Sequence, residues 1–256
     1  MRIKKLGVQL YTVREHMNTP EEVRQTLKRL KSMGYDQAQT AGTKISYEDF
    51  GRIAQEEGIE IVGTHDSWDL MLNHFDEALR LHDLLHTNLM GIGGIGILDV
   101  PQTEEFIKNA NAIGQKAAQH GKKFTFHHHS HEFIRRENGK TMMEMLAEGL
   151  DKNTVSFVLD TYWIQNGGGD VRHWIEQLAG RIDILHLKDM KKDPAESDWQ
   201  KTVYCEIGSG NMWWEGIMES AEKAGVKYYV VEQDQTPDGA FECLQRSADF
   251  LHKHFM

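Results

Sequence analysis

Short apolar runs alternate with amphipathic stretches eight times along the 256-residue chain. The runs cover residues 6–11, 35–40, 59–64, 88–92, 123–128, 155–160, 182–187 and 228–232. Each is bounded by polar residues or glycine, the pattern of strands buried on both faces. The stretches between them read as helices. Residues 20–33 open with Thr19-Pro20-Glu21-Glu22, a cap, a first-turn proline and acids at the positive end of the helix dipole. Val23, Leu27 and Leu30 fall on one face, and Gly34 ends the segment. The same grammar recurs over residues 103–120 before Gly121 and 214–224 before Gly225. Strict strand–helix alternation predicts parallel strands with crossover helices. The length is close to the roughly 250 residues of a (β/α)8 barrel. No linker divides the chain, so one TIM barrel is expected over residues 1–256.

Three runs end in side chains that bind metals. Val155-Ser156-Phe157-Val158-Leu159 leads to Asp160, Ile182-Asp183-Ile184-Leu185 to His186, and Tyr228-Tyr229-Val230-Val231 to Glu232. A fourth run, Phe124-Thr125-Phe126, opens onto His127-His128-His129-Ser130-His131-Glu132. A TIM barrel assembles its active site from the C-terminal ends of its strands. Oxygen and imidazole donors without thiolate suit a hard or borderline divalent cation. Asp160, His186 and Glu232 are therefore expected to share one such cation, with Glu132 as the fourth ligand. Strand alternation then turns Val158, Ile184 and Val230 into the barrel beneath the ligands. It also turns His127 and His129 toward the site and His128 away from it.

A net charge of −10 opposes general nucleic-acid binding, which needs a basic face. The two cysteines, Cys205 and Cys243, do not make a disulfide framework and are expected to be reduced, semi-buried thiols. No stretch approaches the ~20 apolar residues of a membrane span, and no signal h-region follows the basic N-terminus. The expectation is a cytoplasmic protein without nucleic-acid or membrane partners. Assembly into a homo-oligomer is left open. Gly91-Ile92-Gly93-Gly94-Ile95-Gly96 formally fits a dinucleotide fingerprint. However, Leu98-Asp99-Val100-Pro101 intervenes before the next helix, whereas the fingerprint's glycines open the helix directly. It reads as a tight loop after the fourth strand.

The chain resembles the sugar phosphate isomerase/epimerase family, the xylose-isomerase-like barrels. The carrying stretches include Gly7-Val8-Gln9-Leu10-Tyr11-Thr12, Gly63-Thr64-His65, Leu159-Asp160-Thr161-Tyr162-Trp163, His186-Leu187-Lys188-Asp189, Glu206-Ile207-Gly208-Ser209-Gly210 and Val231-Glu232. Phe126-His127-His128-His129-Ser130-His131-Glu132-Phe133 is similar to the family's Tyr-His-Asn-His-x-x-Glu-Phe signature. The resemblance implies a (β/α)8 fold and one divalent cation, often manganese, magnesium, cobalt or zinc, held by carboxylates and one histidine. Two features depart from the pattern. Glu132 lies a few residues into the loop, where the family's epimerases close the strand with Glu. The seventh loop, residues 189–212, has lysines but lacks the family's arginine. That long polar loop is expected to act as a lid.

Such a site suits proton removal next to a carbonyl, because a bound cation stabilises the resulting enediolate. Glu132 and Glu232 are expected to divide the proton transfers from opposite sides of the ligand ring. Gln9, Tyr11, His65, His127, His129, Trp163 and Lys188 are the candidate substrate contacts. Lys188 is alternatively an ion-pair partner of Asp189 or Glu206. The leading expectation is an isomerase or epimerase acting on a small neutral keto-sugar or polyol derivative. The alternative is a lyase or dehydratase acting on a keto-sugar, keto-glycoside or inositol derivative, which shares the first step. A DNA-repair endonuclease would need clustered metals and a basic groove. A non-catalytic sugar-binding barrel would lose ligands.

Overall fold

The computed structural model describes residues 3–195, 197–198 and 201–256. The strands are β1 Leu6–Gln9, β2 Tyr35–Thr40, β3 Glu60–Thr64, β4 Leu89–Ile92, β5 Lys123–His127, β6 Val155–Asp160, β7 Ile182–Leu187, β8 Asp189–Lys191, β9 Val203–Cys205 and β10 Tyr228–Val231. Eight of them form one parallel sheet in the order β3-β2-β1-β10-β7-β6-β5-β4. The pair β8 and β9 is a separate antiparallel hairpin inside the predicted lid loop. Helices cover the outside. All eight expected strands are present, within one or two residues at their ends.

The sheet curls into a barrel whose two edges, β3 and β4, meet through little backbone pairing. Asp66 N–H donates to the Gly91 carbonyl at 2.8 Å, and Gly91 N–H donates to Thr64 Oγ1 at 3.2 Å. A hydroxyl thus stands in for a ladder carbonyl. Position 91 has to be glycine, since a Cβ there would collide with the Thr64 carbonyl and the Thr125 hydroxyl. Buried His82 backs the seam. Its Nδ1–H donates to the Ala78 carbonyl at 2.6 Å, and its Nε2 accepts the Thr64 hydroxyl at 2.8 Å.

The core has two compartments. The larger one lies between sheet and helices, where Phe124 and Phe126 meet Trp68 and Phe106. The helix Pro20–Ser32 contributes Val23, Leu27 and Leu30, and Thr19 caps it by accepting from Glu22 N–H. The smaller compartment fills the barrel with Val62, Leu89, Val158, Ile184 and Val230, so the predicted inward layer is present. One boundary differs from expectation. The helix after β4 starts at Val100, not Thr103, because Asp99 and Gln102 form a reciprocal capping box and Pro101 is tolerated in the first turn. Of residues 91–96, expected as a tight loop, Gly91 and Ile92 end β4 and residues 93–96 are loop.

Burial holds His65, His82, His128 and His129 below the ordinary imidazole pKa, to about 3 for His128 and His129. The unfolded chain therefore binds more protons than the folded one as pH falls below about 6.5. Stability is expected to drop on acidification from pH 7 toward pH 5. The drop should be shallower in His82→Gln, which keeps hydrogen-bonding groups at the seam but removes one titration. Urea midpoints measured across that range check this, and parallel slopes in the two proteins would count against it.

Candidate metal centre

Adjacent strands carry the donors to one place. The β6–β7 register sets Asp160 beside His186, one residue pair above Val158 and Ile184 on the same inward face. Val230 flanks His186 on the other side. Glu232 N–H donates to the Leu187 carbonyl at 3.1 Å, continuing the β10 ladder by one residue. Glu232 therefore faces inward above Val230.

One donor atom each from His127, Asp160, His186 and Glu232 lie within 4.8 Å of one another, and all four residues are buried. His127 Nε2 is 3.5 Å from Asp160 Oδ2, and His186 Nδ1 is 3.6 Å from the same oxygen and 3.1 Å from Glu232 Oε2. Ligands about 2.0–2.2 Å from a common cation stand about 3.0–3.6 Å apart at octahedral to tetrahedral angles. The hydrogen-bond partners also set the tautomers. His127 Nδ1 donates to the Gly93 carbonyl at 3.2 Å. His186 Nε2 donates to Gln39 Oε1 at 2.5 Å. Gln9 Nε2 donates to that same oxygen at 3.2 Å and so holds the Gln39 amide in place. Both imidazoles then turn a lone pair toward the carboxylates, as a metal site requires. His127 Nε2, Asp160 Oδ2 and His186 Nδ1 are buried without hydrogen-bond partners. Orphaned buried polar atoms are rare in native proteins, and a cation among these would satisfy all of them at once. The donor set fits one divalent ion.

The local field also calls for positive charge. Burial opposes ionisation of Asp160 and Glu232, yet the Lys188 ammonium holds both carboxyls well below their ordinary range. Burial likewise opposes the charge on Lys188, but Glu232, Asp160 and Asp234 hold its pKa up. Its Nζ is 2.7 Å from Asp234 Oδ1, 3.0 Å from Glu232 Oε2 and 3.5 Å from Asp160 Oδ2. The ammonium also lies over the rings of Trp163 and Tyr204, at 4.9 and 5.6 Å from their centroids. For His186, burial acts downward but Glu232 and Asp160 raise the net value.

A cavity of about 310 Å³ opens above these donors, and Tyr11, His65, His127, His129, Trp163, Lys188, Glu232 and Asp234 are among its lining residues. Most of the expected substrate contacts are thus gathered around one space. Gln9 is not among the lining residues; it is fully buried and braces Gln39 and His65 Nδ1 instead. The expected placement of Glu132 has to be corrected. It is fully buried, lines no part of the cavity and stands with His129 and His131, while His127 completes the four-donor group. The reason is local: Glu132 folds back in a 3₁₀ turn and caps it by accepting from His129 N–H at 2.8 Å. Lys188 does not pair with Asp189 or Glu206. Asp189 turns into the loop of residues 189–212 and accepts from Met190 N–H, Gly208 N–H and Trp214 Nε1–H at 2.8, 2.9 and 2.7 Å. Glu206 pairs with Arg246.

Four residues that serve the site escaped the sequence reading. These are Gln39, Asp234, Tyr204 and, as a support, His128, whose Nε2 accepts the Asp160 N–H at 3.0 Å. Gln39 left one signal, a polar side chain near the C-terminal end of a strand buried on both faces.

The profile of the xylose isomerase-like TIM barrel family matches residues 27–254. The chain belongs to that family. Among individual proteins, it is similar to the inosose dehydratase of Geobacillus thermodenitrificans, 27% identical over 160 residues, which cover 57% of this chain and 53% of that enzyme. The match thus spans about half of the relative's length. A sugar phosphate isomerase/epimerase from Parabacteroides distasonis superposes with a TM-score of 0.83 at 24% identity, over 98% of this chain and 94% of the other. The IOLI protein, solved with a zinc atom, superposes with a TM-score of 0.71 at 14% identity, over 98% and 99% of the two chains. These likenesses show a shared fold. Among the described residues, no helix is long and apolar enough to cross a membrane.

Gln39→Leu removes the acceptor that orients His186 without touching a donor atom. Loss of such a partner typically costs 10–100-fold in metal affinity. A weakening of that size is expected in competition with a chromophoric chelator. Unchanged affinity would mean that the His186 tautomer is set some other way.

Proposed function

We propose that this protein is a divalent-metal-dependent enzyme that removes the proton next to the carbonyl of a small keto-sugar or polyol-derived ketone. The observation that carries this reading is the convergence of four buried donors, three with orphaned atoms, at the floor of a cavity beside a buried ammonium. A cation held by His127, Asp160, His186 and Glu232 supplies Lewis-acid stabilisation for the oxygen that gains negative charge. Two imidazoles in the set favour zinc, cobalt or manganese over magnesium. Glu232, which lines the cavity, is the candidate base. His65 accepts from Gln9 at Nδ1, so its Nε2–H is free to orient a substrate hydroxyl. Trp163 Nε1–H is likewise unpartnered, and the rings of Trp163 and Tyr11 form walls.

After the first proton transfer, the arrangement favours elimination or isomerisation over epimerisation. Inverting one carbon calls for acid and base on opposite faces, and Glu132 is not in the cavity to supply the second. Glu232 and the Lys188 ammonium stand side by side at 3.0 Å. One can take the proton while the other protonates a departing hydroxyl, which is the dehydratase reading. Isomerisation is the second reading, because a single carboxylate can also carry a proton between neighbouring carbons on one face. Lys188 is the only cation lining this cavity among the described residues, and three carboxylates already surround it. A neutral substrate is therefore proposed over a phosphorylated one.

The test is a panel of inososes and free and phosphorylated ketoses in heavy water. Dehydration gives a product lighter by one water. Isomerisation conserves the skeleton but introduces deuterium. A large kcat/KM preference for phosphorylated members would overturn the neutral-substrate proposal. Glu232→Gln is expected to cost several orders of magnitude in rate, since it removes both a base and a ligand charge. Exchange at the wild-type rate would assign the base elsewhere. Lys188→Met is expected to spare proton exchange more than dehydration. Equal losses in both would count against Lys188 as the leaving-group acid.

A further inference from the structure

Beside the four-donor centre lies a second group that the proposed chemistry does not use. His129, His131 and Glu132 each place one potential donor within 4.8 Å of the others. Glu132 is fully buried. Its Oε2 is occupied by the His129 N–H, while its Oε1 has no hydrogen-bond partner. His129 Nδ1 is also buried and unpartnered. His131 Nε2 is 3.2 Å from Glu132 Oε1 and 2.9 Å from the Ile95 carbonyl oxygen. The rings of His129 and His131 are stacked, with centroids 5.6 Å apart and planes inclined by 9°. Room for the His129 ring comes from Gly94, where a Cβ would lie 2.8 Å from its Nδ1 and Cε1.

We propose that His129, His131 and Glu132 form a second, separate cation site on the turn after β5, selective for zinc-like ions. A buried carboxylate with one oxygen unsatisfied needs a positive partner, and a partly exposed imidazole supplies it incompletely. Two imidazoles and one carboxylate are the protein ligands of many open zinc sites. His131 Nε2–H donates to the Ile95 carbonyl at 2.9 Å, so a bound ion would replace that proton and find the carbonyl oxygen close by as a further donor. The bound ion would pin the Ile95 loop to the turn that carries His129. Since His129 lines the catalytic cavity, the second ion would stiffen one wall of that cavity without joining the first centre.

Chelator-stripped protein titrated with zinc by calorimetry, and with cobalt by visible absorption, tests this. Wild type is expected to bind two equivalents. His131→Gln, chosen because the imidazole is partly exposed, should bind one, and so should the isosteric Glu132→Gln. Asp160→Ala combined with His186→Ala should lose the other equivalent and keep this one. His254→Gln, on the distant C-terminal helix, should keep both. A single equivalent in wild type, or two in both His131→Gln and Glu132→Gln, would overturn the second site. Two equivalents in the Asp160/His186 double variant would instead overturn the four-donor centre, so the two assignments fail separately. Thermal denaturation of the metal-free variants distinguishes loss of a ligand from loss of the fold.

Discussion

Two carboxylates, Asp160 and Glu232, are carried on strand ends into the buried floor of the cavity, and the structure around them supplies positive charge. An unpaired ionised carboxylate is among the most expensive groups to bury. Lys188 answers part of that demand, and its own charge is held by Asp234 and by the faces of Trp163 and Tyr204. His127 and His186 turn unprotonated ring nitrogens toward the same Asp160 oxygen, which leaves the rest of that demand unmet. What remains is a set of donors without hydrogens to share. That is the condition under which a divalent cation binds strongly and a carbonyl oxygen can be polarised beside it.

This arrangement depends on rigid placement, and the barrel provides it through register. Asp160 stands opposite His186 because Val158 stands opposite Ile184 one layer below. A slip by one residue would exchange the inward-facing and helix-facing sides of the strand. The apolar layer of Val62, Leu89, Val158, Ile184 and Val230 therefore aligns the chemistry as well as filling the barrel. Around the rim, single polar side chains do work that backbone ladders do elsewhere. Thr64 joins the two sheet edges, His128 props the Asp160 backbone, and Asp189 gathers several donors within the loop that follows β7. Asp189 stays buried although burial pushes its pKa up. Its partners are N–H groups, not cations, so it serves as a structural anchor and leaves Lys188 free for the site.

Strand and helix placement was legible from the sequence because it rests on local periodicity. Eight short apolar runs, capped helices and helix-ending glycines each carry their signal within about a dozen residues. The inward layer and the strand-end donors Asp160, His186 and Glu232 were legible for the same reason, since alternation along a strand sorts side chains by face. The start of the helix at Val100 was missed because its intervening proline looked like an interruption, although Pro is well accommodated in a first turn.

The sequence by itself determined the barrel, its inward faces and the donor chemistry at the ends of three strands. Only the tertiary structure decided how those donors are completed and oriented. His127 takes the place expected for Glu132, because Glu132 turns back to cap its own loop while His127 still rides on the strand. Gln39, from a strand far away in sequence, selects the His186 nitrogen that faces the carboxylates. Lys188 finds Asp234 and Glu232, not its neighbour Asp189. Each of these outcomes turns on which of two nearby polar atoms lies within hydrogen-bonding reach. That is settled by non-local register and packing at the scale of an ångström, and local periodicity does not encode it.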